Sequence, residues 1–325
     1  QDAVVMKFDP NLNMTFAGFL GGSQNDAGYV LSLAPGGEIY VAGGTESADF
    51  SGITPGTIGP SPAGGIDGYV AVISNDGSSI LRATYIGTSG VEQVYGIQFD
   101  QDGFPYVMGT TTGTWNVINA AYSNPGSKQF IGKLQPDLSA YVYSTCFGNV
   151  VDRPNISPTA FLVDRCQNVY VSGWGGNISA SAFPFLAGTA NNMPVKNAIN
   201  PPGRSGSTTD GQDFYFFVLQ RNATDFLYGG FFGQLNGQFS DHVDGGTSRF
   251  DRNGVIYQSI CAACGTPGGL PVTAGAWSTN KGGDYCNLGM LKINFDLAGV
   301  GGSVGASIGG VPNDTAGCFP LTVQF

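Results

Sequence analysis

The chain has 325 residues, 42% of them hydrophobic and only 11% charged, with 52 glycines, a net charge of −10 and a pI near 4.3. Typical soluble domains carry about 25% charged residues, so the surface must be built from Gly, Asn, Ser and Thr, as in a turn-rich extracellular β protein. The acidic balance argues against nucleic acid, whose binders need a basic footprint, and against a polybasic anchor on anionic lipid. No run reaches the ~20 apolar residues of a membrane-spanning helix.

The chain starts QDAVVMKF, already inside a strand-like run, so any targeting sequence is expected upstream. A unit of four elements then repeats. The first copy reads DAVVMKFD (2–9), AGFLGG (17–22), a turn before a Tyr strand in APGGEIYVAG (34–43), and a loop-strand ITPGTI (53–58). The second reads DGYVAVIS (67–74), ATYIGT (83–88), FDQDGFPYVMG (99–109) and VINAAY (117–122). The third reads KQFIGKLQ (128–135), STCFGN (144–149), VDRCQNVYVSG (163–173) and VKNAIN (195–200). The fourth reads DFYFFVLQ (213–220), GGFFGQ (229–234), FDRNGVIYQS (250–259) and VTAGAW (272–277). A fifth opens with NLGMLKIN (287–294), and FDLAGVGGSVGAS (295–307) continues it as a second strand. Turns such as Asn75-Asp76-Gly77, Asp102-Gly103 and Asn253-Gly254 supply the positive-φ residues of tight hairpins. No helical stripe of useful length is present.

Tyr40, Tyr106, Tyr170 and Tyr257 recur at spacings of 66, 64 and 87 residues. A propeller blade takes about 40–50, so the loops must be enlarged. Four meandering strands per unit predict an all-β fold, a β-propeller of four-stranded antiparallel blades. Its repeats span about 2–66, 67–127, 128–212 and 213–286, with a partial fifth at 287–305. A ring that closes by sharing one blade between its chain ends removes open edges, and the strands completing this blade are expected upstream of Gln1. Residues 306–325 change to a Gly/Pro/Asn linker followed by a strand.

These units, above all DAVVMKFD…AGFLGG…GGEIYVAGGTESADF…ITPG, resemble SBBP repeats, a bacterial β-propeller family. GCFPLTVQF (317–325) resembles the first strand of a polycystic kidney disease (PKD) domain, an immunoglobulin-like module. Together with SPTAFLVDRCQNVYVSGWGGN (157–177) and SDHVDGGTSRFDRNGVIYQSICAACG (240–265), the chain is similar to large surface proteins of Bacteroidota. Those proteins often carry gliding-motility-type C-terminal domains and leave through the type IX secretion system. The resemblance implies a secreted or cell-surface location, with further domains of the same polypeptide and the secretion machinery as partners. The fourth repeat departs from the pattern, with Val218 where Lys7, Lys133 and Lys292 stand, and Gln258-Ser259 for the usual Val-x-Gly.

Six cysteines fit an exported, disulfide-bonded protein. Cys146 and Cys166 lie on successive strands of one repeat, where antiparallel neighbours bring cysteines within bonding distance. Cys261, Cys264 and Cys286 cluster near the last full repeat, and stapling of that oversized unit is preferred there to redox or zinc chemistry. Cys318 stands outside the repeats. The lone His242 sits in Ser240-Asp241-His242-Val243-Asp244, where adjacency along a loop does not make a triad.

Asp-rich turns such as Phe99–Gly103 raise calcium, but the donor spacing of a calcium loop is missing and the turn role suffices. No cofactor is expected. Trp115, Trp174 and Trp277 sit at or near loops, where exposed rings would suit a sugar face, against a plainer role in packing. N-x-Ser/Thr sequons occur at Asn13, Asn155, Asn177, Asn222 and Asn313, and Asp314-Thr315-Ala316 matches a short O-glycosylation pattern reported for Bacteroidota. The expected function is a non-enzymatic, adhesin-like module that presents its loops to glycan or protein ligands. A hydrolase or lyase with a site at the channel mouth, and a structural spacer in a surface filament, are the rivals.

Overall fold

The computed structural model describes residues 1–176, 188–234, 239–243, 248–265 and 269–295, with five two-residue strands between 300 and 324. Strands dominate, and the only helix among the described residues is a single 3-10 turn, Arg221–Ala223. The chain divides into two compact units, residues 1–158 with 179–188, and residues 159–178 with 189–325.

The first unit opens with an antiparallel ribbon of β1 (Ala3–Phe8) and β2 (Met14–Leu20). Two four-stranded antiparallel meanders follow. One is β3 (Asp26–Leu33), β4 (Ile39–Thr45), β5 (Asp67–Ile73) and β6 (Ile80–Ile86). The other is β7 (Glu92–Phe99), β8 (Pro105–Thr111), β9 (Gln129–Leu134) and β10 (Tyr141–Phe147). The second unit holds a four-stranded sheet of β11 (Ser157–Val163), β12 (Val169–Trp174), β13 (Phe214–Leu219) and β14 (Phe226–Phe232). Beside it lies a three-stranded sheet of β15 (Arg249–Phe250), β16 (Val255–Ala262) and β17 (Asn287–Asn294).

The middle strands of these meanders are buried on both faces, which explains runs such as FYFFVL with no polar alternation. In β5, Tyr69, Ala71 and Ile73 join a core with Ala3, Val5 and Leu20 of the ribbon. Val70 and Val72, on its other face, pack with Val107 and Phe130 of the β7–β10 sheet. The period-2 geometry of a strand thus feeds two cores from one element. In the second unit Phe214, Phe216 and Val218 meet Ile256, Ile260 and Ile293 in the same way. Each four-stranded sheet takes two strands from one sequence repeat and two from the next.

Two expectations need correction. The loop-strands at 53–58, 117–122, 195–200 and 272–277 are not ladder strands. The first three pair their backbones with a sheet at single bridges, Ile53 to Ala83, Ile118 to Ser144 and Lys196 to Gly229. Each carries a positive-φ residue (Gly56, Asn119, Asn197, Gly275) that curls the chain away from an extended path. The missing strand is the run ahead of the Asp turn: β3, β7, β11 and β15. Two of these carry a bulge, between Gly28 and Val30 and between Val94 and Gly96, and the bulged Tyr29 and Tyr95 stack at 5.3 Å.

The second correction concerns the fifth repeat. β17 pairs only with β16 among the described residues. Val300–Gly301 pairs instead with Ala316–Gly317, and Ser307–Ile308 pairs with Val311–Pro312 and Val323–Gln324. Turn glycines Gly77, Gly103 and Gly254 all adopt positive φ, as expected.

Candidate functional site

The apolar-glycine element that marks each repeat proves to be half of a polar lock. The backbone N–H just after the glycine donates to a side chain farther along. Gly22 reaches Asp26 at 2.8 Å, Thr88 reaches Glu92 at 2.8 Å, Asn149 reaches Asn155 at 3.0 Å and Gln234 reaches Asp241 at 2.6 Å. The glycine is needed because polar side chains close over it. A Cβ on Gly87 would lie 1.9 Å from Asp67 Oδ1, and one on Gly233 would lie 2.3 Å from Asp213 Oδ1 and 2.9 Å from Asp241 Oδ2. Sequence reading missed these acids. Their only signal is an Asp, Glu or Asn standing four to seven residues after each donor.

The densest cluster lies in the second unit. Arg204 and Asp213 form a buried ion pair at 2.6 Å, and Arg204 also donates to the Gly233 carbonyl. Thr209 donates to Asp213 at 2.6 Å. Burial pushes the Asp213 carboxyl up, with Arg204 opposing. Asp241 accepts from the N–H groups of Gln234 and Ala263, and burial, with the Asp213 charge added, pushes its pKa up to about 6.

Ser240, Asp241 and His242 do not form a nucleophilic triad. His242 Nδ1 lies 2.8 Å from the Ser240 carbonyl, while both Asp241 oxygens are engaged by backbone N–H groups. A general acid or base must reach a substrate proton, and Asp213 and Asp241 are fully buried. The lock recurs in the third repeat with amides alone, where Gln129 donates to Asn155. The arrangement therefore does the work of a hydrogen-bond clamp.

Asp100 in the calcium-like turn is also consumed internally. It accepts from the N–H groups of Asp102 and Phe104, from the Tyr106 hydroxyl and from Lys133 at 2.8 Å. Among the described residues no group of three His, Cys, Asp or Glu side chains is placed to hold a metal.

The cysteines pair differently from the strand-neighbour reading. Cys264 and Cys286 form a disulfide, and Cys261 remains a thiol. Cys146 is a buried thiol donating to the Asn124 carbonyl. It is not joined to Cys166. Cys166 is itself disulfide-bonded.

Two of the three tryptophans are core residues. Trp115 stacks on Phe130 at 3.7 Å and donates to Ser144 Oγ, and Trp174 lies buried on β12 with its ring 5.9 Å from His242. Trp277 is 100% exposed, and Tyr285 is 79% exposed on the same loop. The Cys264–Cys286 bond closes that loop. Lys281 ties it down by donating to the Ala263 and Asp284 carbonyls, and Ala276 N–H bonds Thr273 O in the turn that projects Trp277. Among sequons, Asn155 is buried within the lock. Asn177, Asn313, Thr315, Cys318 and Asp244 lie outside the described residues.

The chain matches no protein-family model and no curated protein. Its fold is distantly similar to three solved structures. One is a protein of unknown function from Bacteroides caccae, with 12% identity over 77% of this chain and 75% of that one, at a TM-score of 0.33. Another is an exo-β-1,3-galactanase from Clostridium thermocellum, with 13% identity over 82% and 46% and a TM-score of 0.34. The third is a glucose dehydrogenase, with 11% identity over 81% and 93% and a TM-score of 0.30. Likeness at this level carries no argument about activity.

Proposed function

We propose that the chain is a binding module of a secreted or cell-surface protein, its sheets acting as propeller-type blades and its disulfide-closed loop engaging glycan or protein. The observation that carries this reading is the pair Trp277 and Tyr285, exposed on a loop that Cys264–Cys286 and Lys281 hold in place. An aromatic ring held in water offers a flat apolar face and little ordering cost on binding, which suits the face of a sugar ring. The loop leaves and rejoins the sheet at the paired strands β16 and β17, which anchor its two ends. The Cys264–Cys286 disulfide is in keeping with export. The resemblance to SBBP repeats and to Bacteroidota surface proteins supports attachment or gliding as the setting.

The test is titration of intrinsic fluorescence with a panel of soluble polysaccharides, together with adhesion of the labelled protein to cell surfaces. Binding to at least one ligand, weakened roughly tenfold or more by Trp277→Ala, is expected. Equal binding by Trp277→Ala, or no binding anywhere, overturns the reading.

A further inference from the structure

Cys261, Cys264 and Cys286 meet where β16 ends and β17 begins. In that ladder Cys261 stands opposite Leu288, and Ala262 stands opposite Asn287. Cys264 and Cys286 are bonded with their Cα atoms 4.0 Å apart, so they form the next facing pair. Ala263 is then one residue too many on the β16 side, and its positive φ of 54° marks it as a bulge. Side chains alternate along a strand, so Cys286 shares a face with Leu288 and with Cys261 opposite it. The Cys261 thiol is therefore a diagonal neighbour of Cys286, and such neighbours have Cβ atoms about 7 Å apart. Cys286 is exposed and Cys261 half-buried, whereas Cys264 is buried.

The bulge is clamped on both sides. The Ala263 N–H donates to the buried Asp241 Oδ1 at 2.8 Å, and its carbonyl accepts from Lys281 Nζ at 2.7 Å. Lys281 belongs to the loop that the disulfide closes. Drawing Ala263 into the ladder would set it opposite Cys286 and turn Cys264 to the other face. Cys261 is then the sulfur best placed for Cys286.

We propose that these three cysteines form a thiol–disulfide exchange centre, in which Cys286 bonds either Cys264 or Cys261 and the Ala263 bulge controls the choice. The Cys261 thiol gives its proton to solvent, and the thiolate attacks Cys286 Sγ. The Cys261–Cys286 bond forms as the Cys264–Cys286 bond breaks, and the departing Cys264 thiolate takes up a proton. One disulfide and one thiol stand on each side of the step, so no oxidant or reductant is consumed. The loop stays closed in both forms, but its anchor moves three residues along β16. The exchange concerns these bonds alone and stands whether or not Trp277 takes a ligand.

Disulfide mapping tests it. Wild-type protein is held near the ordinary thiol pKa of about 8.5, quenched in acid, alkylated and digested. Both linked pairs are expected, Cys264–Cys286 as the major form and Cys261–Cys286 as the minor one. Lys281→Met keeps most of the side chain but loses the bond to the bulge, and is expected to raise the minor form severalfold. Cys264→Ser, refolded in a glutathione buffer, is expected to join Cys261 to Cys286 and lose two hydrogens in intact mass. Wild type that yields Cys264–Cys286 alone overturns the proposal, and so does Cys264→Ser that folds, by circular dichroism, with both remaining thiols alkylated. If that variant does not fold, the wild-type map decides. A minor form that Lys281→Met leaves unchanged overturns the role of the bulge.

Discussion

Asp67, Glu92, Asp213 and Asp241 are all buried, yet only Asp213 is paired with a cation, Arg204. The others are held by N–H and hydroxyl donors. Glu92 accepts from Thr88 and Thr111, and Asp67 accepts from the N–H groups of Ala63 and Gly64. Burying a charge is expensive unless donors replace water, and Asp241 shows the residual cost as a pKa raised to about 6 from 3.8. The folded state then binds a proton more tightly than the unfolded state, so this group adds stability as pH falls from about 6 toward 4 and withdraws it as pH rises through 6. The change is on the order of 3 kcal/mol. Asn155 already serves in the equivalent lock, so Asp241→Asn should fold. Urea melts from pH 4 to pH 7 should show its stability varying less with pH than that of wild type. An unchanged slope would place the titration elsewhere.

At the scale of elements, a glycine, a lock acid and a doubly buried strand form one device that the chain repeats. The loops between β12 and β13 and between β16 and β17 are long, and the second of these is closed by Cys264–Cys286 over a separation of 22 residues. Closing a loop of that size removes entropy from the unfolded chain worth about 3 kcal/mol. Cys286→Ser should therefore lower the unfolding free energy by roughly that amount. It should also increase the mobility of Trp277, read as a fall in fluorescence anisotropy. A melting curve identical to wild type would show that Lys281 and the turn bonds alone hold the loop.

For the molecule as a whole, 23 acidic side chains against 13 basic ones leave a net charge of −10. Net charge sets colloidal behaviour rather than fold. Solubility should reach its minimum near the pI of 4.3, measured as protein left in the supernatant across a pH series. That minimum lies inside the window, from about pH 6 down to 4, over which Asp241 adds stability. Acid precipitation at pH 4 with an unchanged circular dichroism spectrum at pH 5 would separate the two effects.

The repeat, the all-β class and the hairpin turns were legible because each rests on local chemistry: alternating or continuous apolar runs, and Gly or Asn where φ must be positive. The first edge strand of each sheet was hidden because runs such as GYVLSL carry bulges and mixed exposure. The loop-strands misled because their apolar residues dock through single bridges and not through ladders. What only tertiary structure decided is which side chains meet. It buried Trp115 and Trp174 while leaving Trp277 in water, joined Cys264 to Cys286 and left Cys146 a thiol, and placed Asp213 and Asp241 on either side of Gly233. Periodicity along a chain is set by backbone geometry and can be read residue by residue. Contacts between strands depend on the path of the loops that join them, and nothing local encodes that path.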